Sequence, residues 1–474
     1  MQNTVIPETN SQTSMKKLLT VLKYFLTFGA PLAIATLIPT TPTVTKPILY
    51  FFAITVWAMF SWMFSVLPEI VVGFVLPILY IVSGVATANE AFSAWTTNTP
   101  WICFGGIMLG AVMMSTGLAK RIAFKAILIT GGTFERTLAG LMLGGLILAP
   151  FIPSLMAKIA IFCIVGVAIC QTLDLEPKPN AAAAFMLTAF LAVASPKLSY
   201  LTGAADNPMA MGLVAKVTCT MITWGEFALH NAILGIIYSA ISLAIVLIMI
   251  KPEKEIDSID VIKERYAELG SMTLNERKAG VALVITLLLM VTDFLHRIDI
   301  GWLLNIIIAV LFLPGIGIMK GEQMNKINFS MMFFITGAMS IGPVAAKVGA
   351  VKLIATVMLP LLKGSTFYTL ISVYFFGVFV KFFLTPIAAT AMFTTSVTEI
   401  ALQLGLHPYP VVYAFKYGVD QYIFPYEYAV LLYAYSFGYI ALKHVFKVLI
   451  PRIITTALLL SILAFPYWKW LGLL

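Results

Sequence analysis

The chain has 474 residues, of which 60% are hydrophobic and only 11% charged, and its mean hydropathy is +0.97. A soluble domain carries about a quarter charged residues, so there is too little polarity here to cover a surface facing water. The sequence is that of an all-α polytopic membrane protein. Its net charge of +9 is spread over loops without a dense basic patch. That pattern fits cytoplasmic loops and anionic lipid headgroups and argues against nucleic acid as a partner.

In chain order, a polar N-terminus (1–20) containing Lys16 and Lys17 leads into an apolar run at 21–39. The run lacks a small-residue cleavage site, so it is read as a membrane helix kept in the protein. Further runs of roughly 20 apolar residues, enough to cross a bilayer as helices, lie at 48–66, 68–87 and 101–117. Others follow at 181–196 continuing through 208–221, and at 227–250. The stretch 251–278 carries charges of both signs and reads as a linker between two membrane halves. Beyond it come 279–296, 301–319, 329–346, 411–440 with interruptions, and 444–470.

Lysine and arginine asymmetry sets the expected orientation. The N-terminus, the linker, Lys120, Arg121 and Lys125 are placed in the cytoplasm, as are Lys443, Lys447 and Arg452 near the start of the last span. Residues 88–101, ANEAFSAWTTNTPW, hold no basic residue and are placed outside; Lys347, Lys352 and Lys363 on that side run against the rule. Cys103, Cys163, Cys170 and Cys219 have no metal-ligand spacing and read as buried small hydrophobes.

An internal repeat orders these runs. Residues 105–145 align without a gap onto 337–377, pairing Gly105 with Gly337, Gly110 with Gly342, Gly117 with Gly349 and Gly145 with Gly377. LDLEPKP (173–179) is answered by LGLHPYP (404–410). Within each repeat a long apolar stretch is interrupted, by APFIPS (149–154) in the first and TPIAAT (385–390) in the second. The flanking pieces are too short to span singly, so 138–172 and 368–404 read as re-entrant helical hairpins. Non-helical backbone at membrane depth survives only inside protein or beside a wet cavity. The expected fold therefore has about 11 transmembrane helices. Scaffold helices lie at 21–100, and two inverted repeats at 101–250 and 279–474 each hold a hairpin and a broken helix. Such repeats are the design of secondary transporters, with the site near the midplane.

At these residues the sequence resembles the divalent anion:sodium symporter family, the dicarboxylate and citrate carriers of bacteria and the oxoglutarate/malate translocators of plastids. The resemblance is carried by APFIPS, by LTGAADNPMAMGL (201–213), and by the run from KYGVDQYIFPYEY (416–428) to FPYWKWLGLL (465–474). It implies a homodimer, and a site built from hairpin tips and the two broken spans. The family's tips normally carry Ser-Asn-Thr; here the triplets are Ser154-Leu155-Met156 and Pro386-Ile387-Ala388. Aliphatic side chains do not coordinate a hard cation, so sodium coupling is not expected and no cofactor or metal is implied.

Candidate substrate-binding residues are Ser154, Lys158, Thr202, Gly203, Asn207, Thr385, Pro386, Thr390 and Lys416, with Asp206 and Asp420 compensating charge or coupling. Lys158 sits just past a broken tip, where its ammonium takes the place of a bound sodium ion; the plainer reading is a side chain reaching back to the cytoplasmic surface. Asp206 is expected to pair with Lys158 or Lys197, or to carry a coupling proton. Lys416 and Asp420, four residues apart, fit either a salt bridge on one helix face or a site role. Lys381, Glu399 and Glu427 lie nearby in the second repeat.

The expected function is secondary transport of small organic anions, di- or tricarboxylates, by exchange without strict sodium coupling. The alternative is a sodium- or proton-coupled symporter of a different anion on the same fold. An enzyme is not expected, since the four histidines form no catalytic pattern, and a channel would need a charge ring or filter that is not visible.

Overall fold

Among the described residues, seven helices are long and apolar enough to cross a bilayer: α1 (Thr20–Leu37), α2 (Lys46–Met63), α4 (Thr99–Thr116), α8 (Asn180–Ala194 and the turn to Ser199), α10 (Trp224–Met249), α14 (Ser330–Val348) and α20 (Leu442–Trp470). The chain is a multi-pass, all-helical membrane protein. The computed structural model describes residues 20–64, 66–175, 179–253, 259–324 and 329–474. Lys16, Lys17, Lys254 and part of LDLEPKP lie outside the described residues.

Between these run shorter helices: α3 (Glu69–Val82), α5 (Leu118–Thr130), α6 (Phe134–Leu148), α7 (Leu155–Thr172), α9 (Asp206–Thr218), α11 (Ile259–Ala267), α12 (Leu274–Val291) and α13 (Ile300–Leu311). The second half adds α15 (Ala350–Leu362), α16 (Thr366–Lys381), α17 (Pro386–Gln403), α18 (Pro408–Val419) and α19 (Ala429–Ser436). The sequence reading passed over α5 and α15, which at 13 residues each are too short to register as spans. It expected 181–221 to be one span with an interruption; the structure divides it cleanly at 195–205.

Local signals explain the boundaries. Thr223 with Glu226 and Thr273 with Glu276 form capping boxes at the starts of α10 and α12, each satisfying two otherwise free amides. Gly117 and Gly349 close α4 and α14 with φ of 83° and 82°, a left-handed turn that glycine enters without penalty.

Between helices in lipid, close approach of small residues replaces the hydrophobic drive. The centre shows this. In α8, NAAAAFMLTAFLAVA, every residue from Ala181 to Ala194 is buried, whereas only 6% of the α1 window is. Gly145 lets α6 lie on α8: a Cβ there would fall 1.9 Å from the Ala192 carbonyl oxygen. Its repeat mate Gly377 lets α16 lie on α18, with a Cβ position 2.7 Å from the Phe415 carbonyl oxygen. Gly105 meets α13 at Leu304, and Gly337 meets α3 at Gly73. Three of the four glycine pairs read from the repeat thus do matching work in the two halves, either closing a helix or admitting a neighbour.

Arg121 on α5 is buried and donates to Glu276 Oε1 at 2.7 Å and to the carbonyls of Leu269 and Gly270. It ties the 259–278 connector to the first repeat. At the other end Lys347 pairs with Glu90. Cys103, Cys163 and Cys170 are buried as expected, but Cys219 is exposed in a left-handed turn after α9.

Gly145→Ala and Gly377→Ala are each expected to cost about 1–3 kcal/mol by forced overpacking, read as a lower melting temperature in detergent. Gly321→Ala, with nothing within 4 Å of its Cβ position, leaves it unchanged.

Candidate functional site

The first interruption, 149–154, is a turn as expected, whereas the second lies at 382–385 and not at 385–390, because Thr385 caps a helix that already begins at Pro386. Residues 149–154 join α6 to α7, and 382–385 join α16 to α17. Each following helix is capped alike: Ser154 Oγ accepts from the Ala157 amide and Thr385 Oγ1 from the Ala388 amide, both at 3.3 Å. Pro153, Ser154, Thr385 and Pro386 line one cavity of about 600 Å³, together with Lys197 and Asp206. The exposed Glu69 and Met114 line it too, so it reaches the surface at the connector end of the molecule.

Of the residues proposed from sequence, Ser154, Asp206, Thr385 and Pro386 face this cavity. The others do not line it. Thr202 donates to the Pro150 carbonyl at 2.6 Å, tying the first broken span to the first tip, and accepts from Trp224 Nε1. Asn207 Nδ2 holds the carbonyls of Lys197 and Tyr200 at 2.7 and 2.9 Å. A Cβ at Gly203 would lie 2.3 Å from the Lys197 carbonyl oxygen. Thr390 donates to the Pro386 carbonyl and lies 3.5 Å from Lys416 Nζ.

The charged residues form reciprocal pairs between the two breaks, 195–205 and 420–428. Lys416, at the entry to the second break, pairs with Asp206, at the exit of the first. Lys197, in the first, pairs with Asp420, in the second, at 2.7 Å. Asp420 is further held by Arg452 at 2.9 Å, Tyr422 at 2.6 Å and Tyr238 at 3.1 Å. This corrects three expectations. Lys416 and Asp420 do not pair with each other, because α18 stops at Val419 and the Asp420 side chain turns toward Lys197 and Arg452. Asp206 pairs with Lys416 and not with Lys158 or Lys197. Arg452, counted above as an end charge of the last span, is 1% exposed and belongs to this network.

Lys158 does not reach back to the surface. It is 1% exposed, and its Nζ donates to the Gly203 carbonyl at 2.9 Å. Lys381 repeats the arrangement in the second half, donating to the Glu427 carbonyl at 2.6 Å. Each hairpin therefore sends an ammonium to a carbonyl of its own repeat's broken span. Between the cations, Tyr422 and Tyr428 stack at 4.4 Å, with Lys381 over one ring and Lys197 over the other at 5.1 and 5.2 Å. The sequence reading gave little weight to Lys381 and none to Arg452, Tyr238, Tyr422 or Tyr428. An ionisable residue deep in an apolar run was the available signal for the first two.

Around the two breaks, among the described residues, five buried cations (Lys158, Lys197, Lys381, Lys416, Arg452) accompany three buried carboxylates (Asp206, Asp420, Glu427). No group of three or more His, Cys, Asp or Glu among the described residues is placed to hold a metal ion.

Two broken spans joined by buried ion pairs, with two capped tips meeting at one cavity, are features of membrane carriers. Residues 18–474 match the family described as the sodium:sulfate symporter transmembrane region, and the chain belongs to that family, as its resemblance to the divalent anion:sodium symporters implied. It is 26% identical over 274 residues to the inner membrane protein YbhI of Escherichia coli (strain K12), covering 56% of this chain and 57% of that one. It is 23% identical over 337 residues to the chloroplastic dicarboxylate transporter 1 of Spinacia oleracea, covering 68% and 59%. The chain thus spans little more than half the length of these two relatives. The crystal structure of the Alcanivorax borkumensis YdaH transporter superposes with a TM-score of 0.54 at 14% identity, over 96% of this chain and 98% of that one. The fold is shared.

Removing one member of a buried ion pair strands the other, at a cost of about 3–5 kcal/mol. Asp206→Asn and Lys416→Met are each expected to lower stability in detergent by that order. The double variant should lose clearly less than the sum, measured by chemical denaturation.

Proposed function

We propose that the chain is a secondary carrier of di- or tricarboxylates that works by anion exchange without strict sodium coupling. One observation carries this reading: five buried cations against three buried carboxylates around the two breaks, a formal surplus of two positive charges in the protein packed beside a cavity that Lys197, Asp206 and Glu69 line. Uncompensated charge away from water costs several kcal/mol, so the site is completed by a ligand bearing two negative charges. The first-turn amides that the caps do not take, those of Leu155 and Met156 in α7 and of Ile387 in α17, have no partner within their helices and lie at the positive ends of the helix dipoles. Each tip suits one carboxylate, and Lys197 lies in the same wall. The dicarboxylate specificity in the spinach relative's name supports the same class.

In this reading the ammonium groups of Lys158 and Lys381 stand where a coupling sodium would meet unwound carbonyls, which supplies fixed charge in place of a bound ion. The substrate is held by the hydroxyls of Ser154 and Thr385, with the Pro386 ring shaping the second tip. Thr202, Gly203, Asn207, Thr390 and Lys416 shape the wall from behind, and Asp206 and Asp420 compensate charge. The 15-residue α6 and 16-residue α16 are about 22–24 Å long, short of the roughly 30 Å hydrocarbon core. That length supports two re-entrant hairpins, and with them about 11 crossings in two inverted repeats. The N-terminus and the 251–278 connector lie in the cytoplasm.

The test is reconstitution into liposomes loaded with malate, succinate or citrate, followed by labelled-anion uptake with and without sodium. Uptake should require an internal anion and proceed equally in sodium-free buffer. Lys197→Gln should slow it by about tenfold or more, the loss of one charge-assisted contact. A strict sodium requirement would overturn the role given to the two lysines, and the absence of flux for all three anions would overturn the carrier.

A further inference from the structure

A second cavity of about 260 Å³ lies on the same helices as the first, nearer the end marked by Glu90 and Lys347. Lys216 of α9, Thr395 of α17, Gly342, Pro343 and Ala346 of α14, and Ser93 of the 88–96 loop line it. Three helices connect the two cavities. α9 runs from Asp206 in the first wall to Lys216 in the second, α17 from Pro386 to Thr395, and α14 from Met331 to Gly342. Nine residues of helix separate Pro386 from Thr395, about 14 Å along the axis. Leu213 and Met339, both buried, lie on α9 and α14 at the level between.

The side chains around this second cavity are donors. Half-buried Lys216 donates to Ser93 Oγ at 2.8 Å. Thr395 is 5% exposed and its Oγ1 has no hydrogen-bond partner. The contrast within its own helix is informative. Thr390, Thr394 and Thr398 all donate to the carbonyl four residues back, at 2.6–2.7 Å, yet Thr395 leaves that option unused. Gly342 keeps the space open, since a Cβ there would lie 2.6 Å from Thr395 Oγ1. An unpartnered buried hydroxyl costs about 1–3 kcal/mol, and no carboxylate is among the lining residues.

We propose that this cavity is a second anion site, which takes one carboxylate group through Lys216 Nζ and the hydroxyls of Thr395 and Ser93. An anion arriving from the Glu90–Lys347 end docks there before the helices move to admit it to the central cavity. As a station for transport this rests on the carrier reading above; as an anion site it stands on its own lining.

Cys219, exposed and three residues beyond Lys216, is a native reporter, because the other three cysteines are buried. In proteoliposomes its labelling by a membrane-impermeant maleimide is measured with and without succinate or propionate, in the wild type and in Lys216→Gln, Thr395→Val and Lys197→Gln variants. Both anions should slow labelling of the wild type. Lys216→Gln and Thr395→Val should each raise the half-protecting concentration about tenfold, one charge-assisted or buried hydrogen bond. Lys197→Gln, which impairs the central site alone, should keep the wild-type protection. Labelling unaffected by either anion, or protection undiminished by Lys216→Gln and Thr395→Val, overturns the second site even where exchange is intact. Protection lost with Lys197→Gln also overturns it, since the central cavity would then be its source. Protection without any exchange leaves this site standing and sinks the carrier reading instead.

Discussion

The structure depends on how charge is held away from water. A lone ion in a membrane interior is costly, and a paired one is tolerated only when its remaining hydrogen-bonding capacity is met. Here the condition is met by crossing two broken helices, so that each supplies the other's counter-ion. Lys197 of the first break lies on Asp420 of the second, and Asp206 of the first lies on Lys416 of the second. Asp420 also collects Arg452, Tyr422 and Tyr238, so one carboxylate joins the last helix and α10 to both breaks. Such pairs add little net stability. What they fix is the register of one repeat against the other, and with it the position of the two tips.

From that register the remaining features follow. The tips face a common cavity because their broken spans are locked together. Small residues let the locked parts approach: the alanine run of α8, and Gly145 and Gly377 where α6 and α16 cross their neighbours. Lys158 and Lys381 complete the ensemble by capping unwound carbonyls, which leaves more positive than negative charge buried around the two breaks. The same helices that line the tip cavity also reach toward the Glu90–Lys347 end, where Thr395 and Lys216 face a smaller void.

Much of this was legible in the chain. Prolines and polar residues inside apolar runs marked both tips, and GAADNP and GVDQYIFP marked both breaks. These are local signals, and local physics reads them. What was not legible was who pairs with whom. Lys416 finds Asp206 some two hundred residues away, while the helical spacing that suggested Asp420 as its partner fails because the helix ends between them. Arg452 looked like a charge at a helix end because it follows Lys443 and Lys447. Only the packing of α20 against α10 turns it inward to Ser242 and Asp420. Cys219 looked buried from its apolar neighbours, but a left-handed turn carries it to the surface.

The central claim is that a buried surplus of two positive charges selects a dianion. Calorimetric titration of the purified protein with succinate and with succinamate, its singly charged amide of nearly equal size, tests it most directly. The account predicts that succinate binds while succinamate binds at least about a hundredfold more weakly, the loss of roughly 3 kcal/mol of charge-assisted contact. Equal affinity for the two ligands would contradict it.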